Sequence, residues 1–267
     1  MIKTFPVVCA SVASNPSGLG VKLHNAGYAA NNLDYTYIAT GSTDIKKTIQ
    51  IMREFPFRGL GVSMPFKETV IGEIDEVDFS VKKIGACNTI VNNDGKLIGY
   101  NTDWVGAVDA IKEVVEIDSI NKAVIVGAGG VARAIAFGLR QNNIEVFVCA
   151  RNEEQRLKLV KDLSLQGSGT IEEQGKFEAD LIVNATPIST GDSPLKICMH
   201  KNAKVLLDVA FQKRTTELMK IAEDKGLLVV HGWRMLLYQG MKQFELYTKQ
   251  KAPLVAMSKV LEDALPD

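Results

Sequence analysis

An apolar run from Val124 to Val126 leads directly into the glycines Gly127, Gly129 and Gly130. This order is typical of a parallel strand that turns sharply into a helix and holds a dinucleotide. The first glycine allows the tight turn, and the second lets the backbone approach a pyrophosphate. The helix that begins near Gly130 directs its free N–H groups and its positive dipole end at the phosphates. The third small residue of the motif is Gly130 or Ala132, depending on the register.

The residues after the next predicted strand, 145–150, indicate which dinucleotide is bound. The strand ends without the acidic residue that would bind an NAD ribose. Arg151 and Asn152 follow instead, and Arg156 comes one turn later. Because a guanidinium can clamp a 2′-phosphate with its planar fork, we predict NADP as the cofactor. A solvated arginine at the end of a strand is the alternative.

The charge balance argues against a polyanionic partner. The chain has 267 residues, with 31 Lys and Arg against 31 Asp and Glu. A formal net charge of zero gives no reason to expect binding to nucleic acid or to a membrane surface. A small diffusible ligand is the better expectation, and the sequence leaves a homodimer open as the assembly.

Targeting signals and metal motifs are not evident. No run of about 18 apolar residues is present to span a bilayer, and the start, 1–6, is too short before Pro6 to be a signal peptide. We therefore expect a cytoplasmic protein. The cysteines are scattered singly, which predicts reduced core thiols and no metal site; they are Cys9, Cys87, Cys149 and Cys198.

The pattern of apolar runs predicts an α/β protein of two domains. Up to residue 100, strands at 6–10, 35–39 and 59–63 alternate with helices, and Asp94-Gly95 predicts a hairpin. Later strands at 123–126, 145–150, 180–183, 204–209 and 227–230 alternate with helices, as a doubly wound Rossmann-type sheet requires. We expect a substrate-binding catalytic domain over 1–103, completed by the C-terminal helices in 237–267. An NADP-binding domain would occupy 104–236.

Two segments of the first domain combine polar groups with tight geometry. In the first, 63–68, Pro65 is predicted to start a helix with Lys67 in its first turn, where a cation is disfavoured. Such local conflicts tend to mark functional sites. In the second, 100–104, Asp103 follows a hairpin strand, and helix N-capping alone would explain an acid there.

Six blocks of sequence resemble, in order and spacing, the shikimate dehydrogenases. They are Ser-Met-Pro-Phe-Lys-Glu at 63–68, Cys-Asn-Thr-Ile at 87–90, Asn-Thr-Asp at 101–103, Gly-Ala-Gly-Gly at 127–130, Asn-Ala-Thr at 184–186 and Tyr-Gln-Gly with Phe-Glu-Leu-Tyr within 238–247. The resemblance covers nearly the whole chain. It implies oxidation or reduction of a cyclic polyol acid with NADP, in the aromatic amino acid pathway.

The resemblance also implies roles for individual residues. The catalytic lysine and aspartate of the family match Lys67 and Asp103, which could stabilise an oxyanion and supply its proton. The residues that bind the substrate match Ser63, Asn88 and Gln239. The cofactor is expected to contact the glycine turn and the following positions: Arg151, Asn152, Arg156, Thr186 and Gly232.

The chain departs from the family at the end that holds the substrate carboxylate. A Ser-x-Ser pair is replaced by Gly18 and Gly20, with Ser17 just before them as the candidate contact, and Gly61 replaces an asparagine. A tyrosine of the family is here Phe211. These departures are typical of the shikimate dehydrogenase-like subgroup, for which we expect weak activity on shikimate itself.

Three functions remain open from the residues. The leading one is NADP-dependent interconversion of 3-dehydroshikimate and shikimate, or of a close cyclic polyol acid and its ketone. Quinate dehydrogenation is the second, although an acidic residue at the position of Arg151 would favour it more. A low-turnover protein that binds a cyclitol acid or NADP is the third, and the retention of Lys67 and Asp103 argues against it.

Overall fold

The computed structural model describes residues 5–55 and 57–266. Residues 1–4, part of the segment for which we expect no signal peptide, lie outside that range. The described residues form two compact units. The first unit runs to Thr102 and includes Gln239–Ala264, and the second unit comprises Asp103–Tyr238 with the residues from Leu265 onward.

The first unit contains a six-stranded mixed sheet in the order β2-β1-β3-β5-β6-β4. β1 lies parallel to β2 and β3, whereas β5 is antiparallel to β3 and β6. The short elements β4 and α3 are not predicted from the sequence pattern. The elements are β1 (Val7–Ala13), α1 (Leu19–Ala30), β2 (Tyr35–Gly41), α2 (Ile45–Glu54), β3 (Gly59–Val62), β4 (Glu76–Val77), α3 (Phe79–Ile84), β5 (Thr89–Asn93) and β6 (Lys96–Tyr100).

The predicted hairpin between β5 and β6 is confirmed. Asp94 and Gly95 both have positive φ angles, 53° and 94°, as a primed two-residue turn requires. The side chain of Asn92 also accepts a hydrogen bond from Gly95 N at 2.8 Å. This turn fixes the register in which β5 and β6 pair, and hence which residues end together at the opposite end of the hairpin.

The second unit contains a six-stranded sheet in the order β12-β11-β10-β7-β8-β9, in which every described pair is parallel. The predicted doubly wound architecture is therefore confirmed. Its elements are α4 (Asp103–Lys112), β7 (Lys122–Val126), α5 (Gly130–Gln141), β8 (Glu145–Cys149), α6 (Glu153–Leu163), β9 (Gly167–Gly169), β10 (Leu181–Asn184), β11 (Val205–Asp208), α7 (Glu217–Asp224) and β12 (Leu228–His231).

The central strands of the second unit read as continuous apolar runs because helices cover both faces of the sheet. In β7, residues 123–126 are fully buried. The chain leaves β7 toward β8 on one side and returns to β10 on the other. The carboxyl end of β7 is therefore a topological switch point, where open α/β sheets bind their ligands.

Two C-terminal helices complete the chain, α8 (Gly232–Thr248) and α9 (Leu254–Ala264). Both are predicted from the sequence. α8 begins in the second unit and ends in the first, so its residues up to Tyr238 and from Gln239 are described with different units. Among the described residues, no helix has the length and apolar character needed to cross a membrane.

The helix predicted to begin at Pro65 is wrong. Residues 64–68 form turns, and a 3₁₀ helix follows only at Thr69–Glu73. Phe66 N donates to Ser63 O at 2.9 Å, which closes a tight turn, and Lys67 O accepts from Cys87 N at 2.7 Å. In an α-helix Ile71 N would donate to Lys67 O, but it donates to Glu68 O at 3.3 Å, as in a 3₁₀ turn.

Candidate active site

The sheet of the first unit brings three candidate segments to one edge. β3 and β6 end where β5 begins, because β5 is antiparallel to both. Val62 N donates to Asn88 O at 2.8 Å, and Asn88 N donates to Tyr100 O at 3.1 Å. Ser63 and Thr102, which follow β3 and β6 closely, therefore lie on either side of Asn88.

The amide of Asn88 is held in one orientation. Its oxygen accepts from Thr102 N at 2.7 Å and from Thr89 Oγ1 at 2.8 Å. Since a backbone N–H can only donate, the atom facing it must be the oxygen. The nitrogen Nδ2 then donates to Thr102 Oγ1 at 3.0 Å and to Gln239 Oε1 at 3.4 Å. Asn88 is buried, so this network is largely shielded from water.

Gln239 lies on α8 and completes the network in the first unit. Its amide oxygen accepts from Asn88 and also from Thr102 Oγ1 at 3.4 Å. Because Oε1 accepts these two bonds, Nε2 of Gln239 points away from Asn88 and Thr102 and can act as a donor. The structure thus joins Asn88 and Gln239, which are 151 residues apart in the chain.

Lys67 lies in the turn after β3, beside the same edge. Its carbonyl accepts from Cys87 N, one residue before Asn88. Burial raises the pKa of the Cys87 thiol to about 12, although the nearby charge of Lys67 lowers this pKa by a smaller amount. The predicted conflict between Lys67 and a helix dipole does not arise, because no α-helix begins there. The hydrogen bond from Cys87 N to the Lys67 carbonyl determines where Lys67 lies instead.

Asp103 is the first residue of α4 and is only 6% exposed. The N-capping alternative requires Asp103 to precede the helix, but Asp103 lies within it. An acid in the first helical turn is still favoured by the helix dipole. In the chain Asp103 directly follows Thr102, whose backbone N–H holds Asn88.

The serines Ser17 and Ser63 are exposed. The hydroxyl of Ser17 accepts from Leu19 N at 3.4 Å, at the start of α1. Gly18 has φ 76° and is the N-cap residue of α1, without a side-chain cap. The loop here follows a left-handed turn that disfavours a serine, which is the physical reason for glycine at position 18.

The glycine turn of the second unit fits a dinucleotide pyrophosphate. Gly127 has φ 124°, and a Cβ there would come within 2.9 Å of Ala185 O. By contrast, nothing lies within 4 Å of a Cβ built on Gly129, which is the N-cap of α5. α5 begins at Gly130, and no side chain caps its first turn. The backbone donors of that turn thus border open space at the switch point of the sheet.

The three residues predicted to recognise a 2′-phosphate differ in their surroundings. Arg151 is exposed and makes no hydrogen bond or ion pair with another residue in 5–55 or 57–266. Asn152 caps α6 by accepting from Gln155 N at 2.9 Å. Arg156 is largely covered, with 12% of its side chain exposed, and pairs with Glu153 at 3.2 Å. Arg151 is therefore the more accessible of the two cations.

Thr186 belongs to a buried network at the ends of β10 and β11. Its hydroxyl donates to Asn184 Oδ1 at 2.7 Å, and Asn184 Nδ2 donates to Asp208 Oδ1 at 3.0 Å. Asp208 Oδ2 accepts from Thr216 Oγ1 at 2.7 Å. Gly232 packs against the backbone after Asp208, where a Cβ would not fit. Both predicted cofactor contacts therefore shape the loops at the switch point.

The three histidines occupy separate surroundings. His24 faces Gln243, His200 faces Gln174 at 3.3 Å, and His231 Nδ1 lies 2.8 Å from Arg214 O. Within the described part of the chain, no group of three or more His, Cys, Asp or Glu side chains could hold a metal ion.

Several residues of the site are not singled out by sequence reasoning. Thr102 lies within the Asn-Thr-Asp block but attracts no attention beside Asp103. Gln243 follows Gln239 by four residues, and this spacing puts both amides on one face of α8. That pair of glutamines at one-face spacing is the signal that could have identified Gln243.

Models of known families match most of the chain. Residues 17–90 match the shikimate dehydrogenase substrate binding domain, and residues 232–262 match the shikimate 5′-dehydrogenase C-terminal domain. Residues 122–212 match a model described as NADP oxidoreductase, coenzyme F420-dependent.

Individual proteins match over nearly their full length. Shikimate dehydrogenase (NADP(+)) of Dehalococcoides mccartyi strain CBDB1 is 35% identical over 260 residues, covering 92% of this chain and 91% of that protein. A shikimate dehydrogenase-like protein of Haemophilus influenzae is 33% identical over 258 residues, with 94% of each chain covered. Shikimate 5-dehydrogenase of Thermus thermophilus, solved with NADP(H) and shikimate, superimposes with a TM-score of 0.88 at 29% identity, covering 97% of this chain and 100% of that one.

Proposed function

Because the chain belongs to the shikimate dehydrogenase family, we propose that it interconverts 3-dehydroshikimate and shikimate, or a close cyclic polyol acid and its ketone, with NADP. The hydrogen-bond network of Asn88, Thr102 and Gln239 is the observation that carries this proposal. Two oriented amides beside a lysine suit a small polyol that presents several hydroxyl groups.

The first unit supplies the groups that bind the polyol. Asn88 and Gln239 are fixed by their mutual hydrogen bond, so each presents a defined donor or acceptor to a ligand. Ser63, exposed at the end of β3, adds a hydroxyl at the same edge. Pre-oriented polar groups lose little entropy on binding, which favours a specific small ligand.

Lys67 is the proposed acid and base, and Asp103 is the proposed carboxylate of the reaction. NADPH, when bound, supplies a hydride to the carbonyl carbon, and the C=O electron pair moves onto oxygen. The Lys67 ammonium stabilises that oxygen and gives it a proton, which completes the alcohol. In the oxidation direction Lys67 takes the proton back.

The second unit supplies the groups that would hold the cofactor. The glycine turn at 127–130 would hold the pyrophosphate with its backbone donors, and Arg151 would bind the 2′-phosphate. Asn152 and Arg156 would lie beside the same phosphate. Thr186 and Gly232 would maintain the loops that contact the cofactor. The open space at Gly129 supports this assignment, as does Arg151, which is exposed and makes no ion pair within the described residues.

The carboxylate end of the ligand is the weak part of the site. Ser17 and the uncapped first turn of α1 offer donors where the family has two serines. Fewer hydroxyls there predict poor turnover of shikimate compared with biosynthetic members of the family. A ligand with a smaller or differently placed acid group would suit this end better.

The proposal is tested by following NADPH absorbance with the purified protein, NADP⁺ and a panel containing shikimate and quinate. We expect slow, NADP-dependent oxidation of shikimate. Faster oxidation of quinate would favour the quinate dehydrogenase alternative. NADP binding by calorimetry without turnover of any cyclitol acid would contradict an enzymatic function.

A further inference from the structure

Gln243 lies on α8, one turn after Gln239, and is 6% exposed. Its amide nitrogen donates to Thr89 Oγ1 at 3.0 Å and to Asn88 O at 3.2 Å. Both contacts are to the segment that carries the substrate-binding amide of Asn88. Gln243 itself makes no contribution to the proposed chemistry, so its burial calls for another explanation.

The direction of these hydrogen bonds is determined. Asn88 O is a carbonyl and can only accept, so the atom of Gln243 that faces it must be the nitrogen. Thr89 Oγ1 accepts from that nitrogen and donates its own hydrogen to Asn88 Oδ1 at 2.8 Å. Because Thr89 bonds to both residues, the orientation of the Gln243 amide determines which hydrogen bond Thr89 makes to the side chain of Asn88.

His24 holds the other end of the Gln243 amide. Its Nε2 lies 3.2 Å from Gln243 Oε1, and its ring stacks on Tyr37 at 4.2 Å. Because an amide oxygen only accepts, His24 must carry its hydrogen on Nε2. Burial lowers the pKa of His24 to about 4, despite the opposing hydrogen bond to Gln243, so the ring is neutral near pH 7.

A rotated Gln243 amide would lose its hydrogen bonds to Asn88 O and to the N–H of His24. Its oxygen would face the oxygen of Asn88, and its nitrogen would face the N–H of His24. Thr89 would then have to donate to Gln243 and could no longer donate to Asn88. Buried polar networks of this kind are either fully paired or costly, which gives the observed arrangement its preference.

We propose that Gln243 is a positioning residue for substrate binding: through Thr89 it fixes the amide of Asn88, and through Asn88 that of Gln239. His24 fixes Gln243 in turn. This inference rests on the proposed function, since it concerns the same polyol site. The chain of contacts runs from His24 to Gln239 entirely within the first unit.

The device should act on ground-state binding of the polyol. If the amide of Asn88 or Gln239 can rotate, it spends part of the time with a donor where the substrate needs an acceptor. The substrate then binds less tightly. The proton transfer at Lys67 and the NADP site in the second unit do not use these bonds. Substrate KM should consequently change more than kcat, and KM for NADP should stay constant.

The test uses Gln243→Met, which keeps the volume but removes both polar atoms, and His24→Phe, which keeps the stacking on Tyr37. We expect Gln243→Met to raise KM for shikimate roughly tenfold, with kcat changed less than about threefold. His24→Phe should have a smaller effect of the same kind. The double variant should match Gln243→Met, because His24 acts only through Gln243.

Tyr247→Phe is the matched control. Its ring lies 5.8 Å from that of His24, and its buried hydroxyl has no hydrogen-bond partner among residues 5–55 and 57–266. This variant alters the same cluster without touching the network, so its kinetic constants should equal those of the wild type. Thermal unfolding by circular dichroism checks that each variant is folded.

Nitrogen NMR of the wild-type histidines gives a readout that needs neither a variant nor turnover. We expect His24 to be neutral, with hydrogen on Nε2, down to about pH 5. An Nδ1–H tautomer, additive effects in the double variant, or an unchanged shikimate KM in Gln243→Met would overturn the positioning proposal. A wild-type protein that does not oxidise shikimate at all would instead contradict the proposed function.

Discussion

The phenol oxygen of Tyr37 lies 2.7 Å from the position that a Cβ on Gly61 would occupy. Tyr37 is buried, and its ring stacks on His24. The space that a side chain at position 61 would need is therefore filled by the hydroxyl of Tyr37. Burial raises the pKa of Tyr37, so this hydroxyl stays neutral. The absence of a side chain at Gly61 thus lets Tyr37 pack close to the amide of Gln243.

This relationship predicts a paired effect on stability. Gly61→Ala should lower the free energy of unfolding by about 1–3 kcal/mol, because the added methyl overlaps the Tyr37 hydroxyl. Tyr37→Phe removes that hydroxyl, so Gly61→Ala should cost much less in a Tyr37→Phe background. Urea unfolding of the four proteins measures the coupling. Equal costs in both backgrounds would show that the methyl is accommodated elsewhere.

We expect Lys67→Ala to lower kcat by about 10²–10⁴-fold, because it removes the general acid and base. Asp103→Asn should also lower kcat, since it removes the charge while keeping the volume. Cofactor affinity, measured by NADPH fluorescence titration, should stay within error of the wild type. Unimpaired turnover in either variant would exclude that residue from proton transfer.

Arg151→Ala should reduce selectivity for NADP over NAD. A charge-assisted contact to the 2′-phosphate is worth about 1.5–3 kcal/mol, so KM for NADP should rise roughly 10- to 100-fold while KM for NAD changes little. Lys158→Ala is a suitable control, because it removes a positive charge from the exposed face of the same segment. Equal losses with NADP and NAD would contradict the assignment of Arg151.

Gly20→Ser tests the carboxylate end of the site. A Cβ on Gly20 meets only Tyr37 Cε1, at 3.6 Å, so a serine fits, whereas Gly18 at φ 76° would strain any side chain. One added hydrogen bond to a carboxylate should raise kcat/KM for shikimate roughly tenfold or more. Gly20→Ala provides the comparison. If alanine improves kcat/KM as much as serine, the gain comes from the helix rather than from the hydroxyl.

An ion pair within the second unit predicts a pH-dependent stability. Glu113 accepts hydrogen bonds from Arg234 and from Tyr238, and Arg234 also stacks on Trp233. Burial alone would raise the pKa of Glu113, but the bonds from Arg234 and Tyr238 and the Arg234 charge outweigh it, and the pKa lies below its ordinary value.

The lowered pKa means that the ionised form of Glu113 stabilises the folded state. That contribution is fully present above the pKa of an unfolded glutamate and is lost as the pH falls through the lower folded value. Glu113→Gln should therefore destabilise the protein at pH 7, by up to about 1 kcal/mol because the pair is screened by solvent. The difference from the wild type should shrink in acid. Urea unfolding at pH 7 and at successively lower pH values measures it, and a constant difference would contradict the assignment.

The sequence by itself determined the features that depend on neighbours in the chain. The glycine turn at 127–130 requires positive φ and a side chain of zero size, and only a few residue types satisfy this. The Asp94-Gly95 hairpin and the alternation of strands and helices in the second unit are likewise local or periodic patterns. For this reason the fold class, the cofactor and the family could all be predicted.

The tertiary structure alone decided how the polar groups are paired. His24 and Gln243 are 219 residues apart, and nothing near either residue predicts their contact. Cys87 N, twenty residues later in the chain, donates to the Lys67 carbonyl and so joins the turn at 64–68 to the segment before Asn88. Hydrogen-bond partners depend on which segments the packed sheet brings together, and a buried donor or acceptor must pair with whatever lies there. The periodic pattern of apolar residues along the chain does not indicate which hydrogen-bond partners meet in the folded protein.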